Sequence, residues 1–207
     1  VTFDVAASLW SVPRDGLEEE ARRLAAAGLR RWHWDVSDGA FAAPGGFDVA
    51  TVARLSALTG TPGEAHLMVQ EPLPQVEAWA AVCDRVLVHV EADGWDVAVE
   101  RLLARGCRAG VAISPGTPLS ALDGLPADVA VLVMSITPGQ AGSRFLPTTL
   151  HRLDALVGRA ELGVDGGVTL EHARACDAHG ATWVVSGSAL CGSDDPAAWL
   201  REARGRA

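Results

Sequence analysis

The sequence predicts a closed (β/α)8 barrel, and three observations carry that prediction. Eight short apolar, β-branched runs alternate with longer segments of helical period along 207 residues. Each run is followed by a helix or by a loop with a short helix, which implies a parallel sheet. The first run leads into Ser8-Leu9-Trp10-Ser11 rather than the Gly-rich turn an open dinucleotide-binding sheet would carry. The length sits near the lower limit for such a barrel, about 200 residues. Residues 1–207 therefore read as one single-domain TIM barrel.

The elements follow in order. Phe3–Ser8 is the first strand, and Leu17–Ala27 the first helix, with Glu18, Glu19 and Glu20 in its opening turn and Gly28 as its stop. Strands two to four are Arg30–Asp35, Gly63–Met68 and Arg85–Val90. A helix over Val97–Arg105 ends on Gly106. Strands five to seven are Arg108–Ile113, Val129–Met134 and Glu161–Val164. The helix Leu170–His179 ends on Gly180, and Thr182–Ser186 is the eighth strand. No linker or low-complexity segment is left over.

Composition excludes several functions. Seventeen basic against 26 acidic residues give a net charge of -9, the wrong sign for a nucleic-acid binder. All the basic residues are Arg, so Schiff-base, pyridoxal and Walker-type phosphate chemistry lack their amine. Tyr is absent as well, which removes the phenol as acid or base. Cys83, Cys107, Cys176 and Cys191 form no CxxC, against both a disulfide framework and a thiolate zinc site. No apolar stretch approaches the ~18 residues of a membrane span. A cytoplasmic enzyme with a small-molecule partner, no membrane or nucleic-acid partner, and a homo-oligomeric state is the expectation.

In a barrel of this kind the site forms at the carboxyl ends of the strands. Ser8, His33, Asp35, His66, His89, Glu91, Ser114 and Asp165 fall there. His33 and Asp35 are two apart and so share one face of their strand. A lone strand histidine is usually structural, but two His and two Asp on three strand ends reverse those odds. Imidazole nitrogens with hard carboxylate oxygens suit one divalent transition metal, Zn, Fe, Mn or Co. Met68 and Met134, also near strand ends, read equally as core filler or as a polarizable wall around a reactive intermediate. Glycine-rich turns follow the last three strands: Thr137-Pro138-Gly139-Gln140-Ala141-Gly142, Asp165-Gly166-Gly167 and Ser186-Gly187-Ser188. Their convergence on one corner predicts a phosphate seat built from backbone amides. Arg144 stands just beyond and reads as a solvated surface residue, with a charge-assisted contact to the anion as the alternative.

From Ser8 to about Cys191 the chain resembles the ribulose-phosphate 3-epimerase family. The resemblance rests on His33-Trp34-Asp35-Val36-Ser37-Asp38-Gly39, like that family's H-x-D-x-M-D-G, then His66-Leu67-Met68 and His89-Val90-Glu91. Val133-Met134-Ser135 with Pro138-Gly139, Val164-Asp165-Gly166-Gly167 and Gly187-Ser188-Ala189 complete it in the same order. It implies a metal held by His33, Asp35, His66 and Asp165, with Asp35 and Asp165 also exchanging the C3 proton of a ketose phosphate through an enediolate. It implies that Ser8, His66, Met68 and Met134 hold the sugar, and that Gly139, Gln140, Ala141, Gly142, Gly166, Gly167, Gly187 and Ser188 hold its phosphate. Asp38 and His89 stand as reserve bases.

The departures from the family pattern cluster. Ser37-Asp38-Gly39-Ala40-Phe41 replaces M-D-G-H-F, and Thr137-Pro138-Gly139-Gln140-Ala141-Gly142-Ser143 replaces N-P-G-F-G-G-Q. Ser114-Pro115-Gly116-Thr117-Pro118 replaces N-P-x-T-P. Ribulose 5-phosphate is the leading substrate. Another ketose phosphate such as a hexulose 6-phosphate, or a catalytically silent sugar-phosphate-binding paralogue, stays open.

Overall fold

Eight parallel strands close on themselves. In the computed structural model, which describes residues 2–205, these are β1 Asp4–Ser8, β2 Arg31–Ser37, β3 Gly63–Met68, β4 Arg85–His89, β5 Arg108–Ile113, β6 Ala130–Met134, β7 Leu162–Asp165 and β8 Trp183–Ser186. Each pairs with its sequence neighbours, and β1 pairs with both β2 and β8. The expected barrel is thus present, with strand bounds within two residues of expectation. Val1, Arg206 and Ala207 of the expected 1–207 domain lie outside the described residues.

Among the described residues eight α-helices surround the strands: α1 Leu17–Ala26, α2 Val49–Thr59, α3 Val76–Ala80, α4 Trp95–Ala104, α5 Thr148–Leu156, α6 Leu170–Ala178, α7 Ser188–Cys191 and α8 Pro196–Ala203. The crossover after β5 carries only a 3-10 turn, Leu119–Leu122. Local signals explain the ends. The Asp48 side chain accepts from the Thr51 amide at 2.8 Å and caps α2, which stops at Gly60 with φ 66°. Leu17, Ala21 and Leu24, spaced for one helical face, bury α1 against the barrel.

Alternation along each strand sorts residues into two layers. Val5, Trp32, Trp34, Leu67, Val86, Val88, Val131 and Val164 point outward into the apolar shell beneath the helices. Ala6, Leu87, Ala112, Leu132, Met134, Trp183 and Val185 fill the barrel interior. Two glycines make that filling possible. A Cβ on Gly163 would lie 2.3 Å from the Trp183 indole, and one on Gly110 would lie 2.4 Å from Leu87. The indole in turn carries the Arg85 guanidinium 4.0 Å above its ring. All four cysteines are free.

One element escaped the sequence. Gly45–Gly46 forms a two-residue antiparallel ribbon with Val36 and Ser37 at the end of β2. It requires Gly46: φ is 89° and a Cβ there would fall on the Asp35 carbonyl. This ribbon brings the β2 loop back over the mouth of the barrel.

Candidate active site

A cavity of about 590 Å³ opens at the carboxyl end of the strands. Strand period 2 aims His33 and Asp35 of β2, His66 and Met68 of β3, and Asp165 at the end of β7 inward together. One ligand atom from each of His33, Asp35, His66 and Asp165 lies within 4.8 Å of all the others. His33 Nε2 and His66 Nδ1 each stand 3.3 Å from Asp35 Oδ1. They stand 4.0 and 3.7 Å from Asp165 Oδ2.

Hydrogen-bond accounting orients the rings. His33 Nδ1 donates to Glu64 Oε1 at 2.7 Å, leaving Nε2 toward the carboxylates. Glu91 Oε1 accepts from the Ser114 amide and the Thr117 hydroxyl at 2.8 and 2.5 Å, and its Oε2 lies 3.0 Å from His89 Nδ1. Glu91 is thus an acceptor throughout, so His89 Nδ1 carries a proton and its Nε2 accepts from His66 Nε2 at 2.9 Å. His66 Nδ1 is then a lone pair. It faces His33 Nε2 across 3.2 Å. Two imidazole nitrogens and two carboxylates aimed at one point form a donor set that only a cation or added protons can reconcile. The residues fit a divalent transition ion.

The charges are unequal. Burial raises the Asp35 carboxyl, but His33 and His66 overcome it and hold its pKa well below the usual carboxylate range. Burial pushes the Asp165 carboxyl up to about 7, against the pull of His33 and with repulsion from Asp35. Burial opposes charge on His33, yet Asp35 and Glu64 keep its pKa well above the ordinary imidazole value. Burial lowers His89 to about 4. Two carboxyls in one site with environments that push them apart are suited to acid and base roles.

Most of the expected residues meet. Ser8, Asp35, Met68, Met134, Gly139, Ala141, Gly142, Asp165, Gly166, Gly167, Gly187 and Ser188 all line the cavity. Ser8 Oγ donates to Asp35 Oδ2 at 2.6 Å. Two expected residues lie outside that lining. His66, expected to hold substrate and to ligate the metal, is fully buried, with its Nδ1 3.3 Å from Asp35 Oδ1. Gln140 is exposed and outside the lining, since its residue sits in the turn closed by its amide to Thr137 O at 3.2 Å. Arg144, read as a surface residue, is exposed and also lines the cavity. Asp38 commits its oxygens to the amides of Ala40, Phe41 and Gln70, which leaves it a loop organiser rather than a reserve base. His89 is engaged on both nitrogens.

The sequence missed Trp10 and His172, which also line the cavity. Trp10 packs against the β2 ribbon, where a Cβ on Gly45 would stand 2.9 Å from its ring. His172 is the N3 partner in a capping box with Thr169 at the start of α6, and stacks on Phe145 with centroids 4.2 Å apart. Glu or Gln at N3 is the sequence signature of that box, so a histidine there gave no signal.

The glycine-rich corner is built by backbone. Gly166 and Gly167 hold φ of 113° and 61°. A Cβ on Gly167 would lie 2.7 Å from Ser143 O, joining the loop after β7 to the loop after β6. At α7 the first intrahelical bond is from Leu190 N to Gly187 O, so the Ser188 and Ala189 amides precede it at the cavity wall.

A family model described as the ribulose-phosphate 3 epimerase family matches residues 4–191. A ribulose-phosphate 3-epimerase of Mycobacterium bovis is 35% identical, over 98% of this chain and 92% of that protein. One of Methanocaldococcus jannaschii is 31% identical, over 92% and 85%. Among solved structures, 3-hexulose-6-phosphate synthase from Salmonella typhimurium superposes with a TM-score of 0.74 at 15% identity, covering 98% of this chain and 97% of that one. At that identity the likeness is one of fold.

Proposed function

The chain belongs to the ribulose-phosphate 3-epimerase family and is a carbohydrate epimerase of the isomerase class; from that premise we propose that it inverts C3 of D-ribulose 5-phosphate to give D-xylulose 5-phosphate, using Asp35 and Asp165 in turn. The observation that carries this reading is the convergence of both carboxyls, with His33 and His66, on one point at the cavity floor. Epimerisation beside a ketone removes a weakly acidic proton and returns one to the opposite face, which two opposed carboxyls accomplish.

Asp35 is suited to the ionised partner. Ser8 donates to its Oδ2, and its Oδ1 stands 3.3 Å from both His33 Nε2 and His66 Nδ1, free to face the ion. Asp165, whose carboxyl burial and the Asp35 charge push up, is suited to be the partner that returns the proton to the sugar. The roles exchange in the reverse reaction. His33, Asp35, His66 and Asp165 would hold the divalent ion, which supplies Lewis-acid stabilisation to the charge that grows on the ketone oxygen once C3 loses its proton. Met68 and Met134 present apolar surface to the reacting carbons and keep water from them. The amides of Gly166, Gly167, Gly187 and Ser188 are the donors for the phosphate, the more needed because the chain has no Lys. The cytoplasm is the proposed site of action, as the name of a rice relative, a cytoplasmic isoform, supports.

The test supplies D-ribulose 5-phosphate and a 3-hexulose 6-phosphate to protein stripped by chelator and reloaded with Mn²⁺ or Zn²⁺. The expected result is xylulose 5-phosphate formation that depends on the ion. Full activity in protein shown by elemental analysis to be metal-free would overturn the metal role; turnover of the hexulose alone would overturn the substrate.

A further inference from the structure

Beneath the ion cluster the barrel buries a full charge pair that closing the fold does not require. Glu64 on β3 is 0% exposed and Arg85 on β4 is 1% exposed. Buried ion pairs are commonly no more stabilising than apolar side chains of the same size, because desolvation offsets their attraction. Around it the barrel interior is filled by Ala6, Leu87, Ala112, Ala130, Leu132 and Trp183, with glycines at 110 and 163. The pair is therefore an expensive choice, and its contacts show what it does.

Each Glu64 oxygen is committed. Oε2 accepts from Arg85 Nε at 2.9 Å and also from Arg85 Nη2. Oε1 lies 2.7 Å from His33 Nδ1. Arg85 is itself held from three sides: by Glu64, by the Trp183 ring at 4.0 Å, and by Glu161, whose Oε1 is 3.2 Å from Nη1. With the guanidinium claiming one oxygen as acceptor, the carboxylate can only accept at the other. His33 must then keep its proton on Nδ1, and only Nε2 has a lone pair to offer.

We propose that Glu64 is a positioning residue for the ion cluster: clamped by Arg85, it fixes the His33 proton on Nδ1 and so presents Nε2 to a divalent cation. This rests on the reading that His33, Asp35, His66 and Asp165 hold such an ion. It adds an asymmetry between the two ring ligands. His66 is oriented from the opposite nitrogen, by neutral His89 and Glu91 near the mouth, whereas His33 is oriented by a charged pair in the floor. An anionic partner also makes the ring a better electron donor to a metal, and such outer contacts typically govern about 10- to 100-fold in metal affinity.

The sharpest variant is Glu64→Gln, nearly the same in shape. Arg85 will draw the amide oxygen to itself, which turns the NH₂ toward His33 Nδ1. That nitrogen must then accept, and the proton moves to Nε2, the wrong side. Zn²⁺ affinity, read by competition with a chromophoric chelator, should fall about 10- to 100-fold. The double variant Glu64→Gln with Arg85→Met should recover part of that loss, because the freed amide can turn its oxygen back to Nδ1. A purely structural role predicts the reverse, a double variant worse than the single. In the unaltered Zn²⁺-loaded protein, ¹⁵N NMR should find the His33 proton on Nδ1 and the His66 proton on Nε2, a readout independent of whether any variant folds. Zn²⁺ affinity unchanged in Glu64→Gln, or a His33 proton on Nε2, overturns this proposal alone. Failure of the unaltered protein to bind Zn²⁺ overturns the metal reading and this proposal with it.

Discussion

The two corners of the cavity are made of different materials. At β2, β3 and β7 side chains converge: two imidazoles and two carboxyls, of which Asp35 is held by Ser8, His33 by Glu64 and His66 by His89. At the loops after β6, β7 and β8 the wall is rich in glycine, and at Gly166 and Gly167 the close approach of neighbouring loops leaves no room for a side chain. On the proposed reading the first corner depends on chemistry and the second on shape.

That contrast ranks the expected losses. On the proposed reading, Asp35→Asn at the side-chain corner removes a base and an ion ligand together. Assayed at saturating Mn²⁺, with occupancy checked by elemental analysis, its turnover should fall by at least the ~10²- to 10⁴-fold typical of a lost acid–base group. Near-normal turnover with the ion bound would erase the distinction between the corners. Gly167→Ala adds one carbon to the backbone corner. At φ 61° and 2.7 Å from Ser143 O, that carbon must push the β6 and β7 loops apart. The expected signature is a raised KM for the sugar phosphate with a smaller change in kcat, since the groups that handle the C3 proton are untouched. A kcat loss with KM preserved would assign the loop to the chemistry instead.

The mildest change sharpens the point further. Ser188 is exposed and lines the cavity, and only its amide is assigned to the phosphate. Ser188→Ala should therefore leave KM within about the small margin of an ordinary surface substitution, ±0.5 kcal/mol. A tenfold rise in KM would show that the hydroxyl, not the backbone, holds the anion.

The same division governs what the sequence reveals. His33, Asp35, His66 and Asp165 are legible because period 2 and strand-end position act directly on letters with unmistakable chemistry. The glycines are legible as a class but not in detail: Gly139, Gly142, Gly166 and Gly167 do line the cavity, while Gln140 between them turns to solvent. Trp10 was invisible because it reaches the site from an aperiodic loop, across a glycine ribbon whose pairing depends on contacts distant in the chain. Glu64 carries a signal in its position. It stands two residues before His66 on the inward face of β3, and a carboxylate there needs a buried partner. Its register opposite His33 is fixed by the pairing of β2 with β3, which no local pattern encodes.

The central claim is that two carboxyls serve opposite faces of one carbon, and Asp165→Asn tests it most directly. The variant is loaded to full occupancy with Mn²⁺ or Zn²⁺ and incubated in D₂O with each epimer separately. With Asp35 intact, the account predicts deuterium entering C3 of one epimer without inversion, no exchange in the other, and no net epimerisation. Deuterium entering both epimers, or inversion at a rate near that of the unaltered protein, would contradict it.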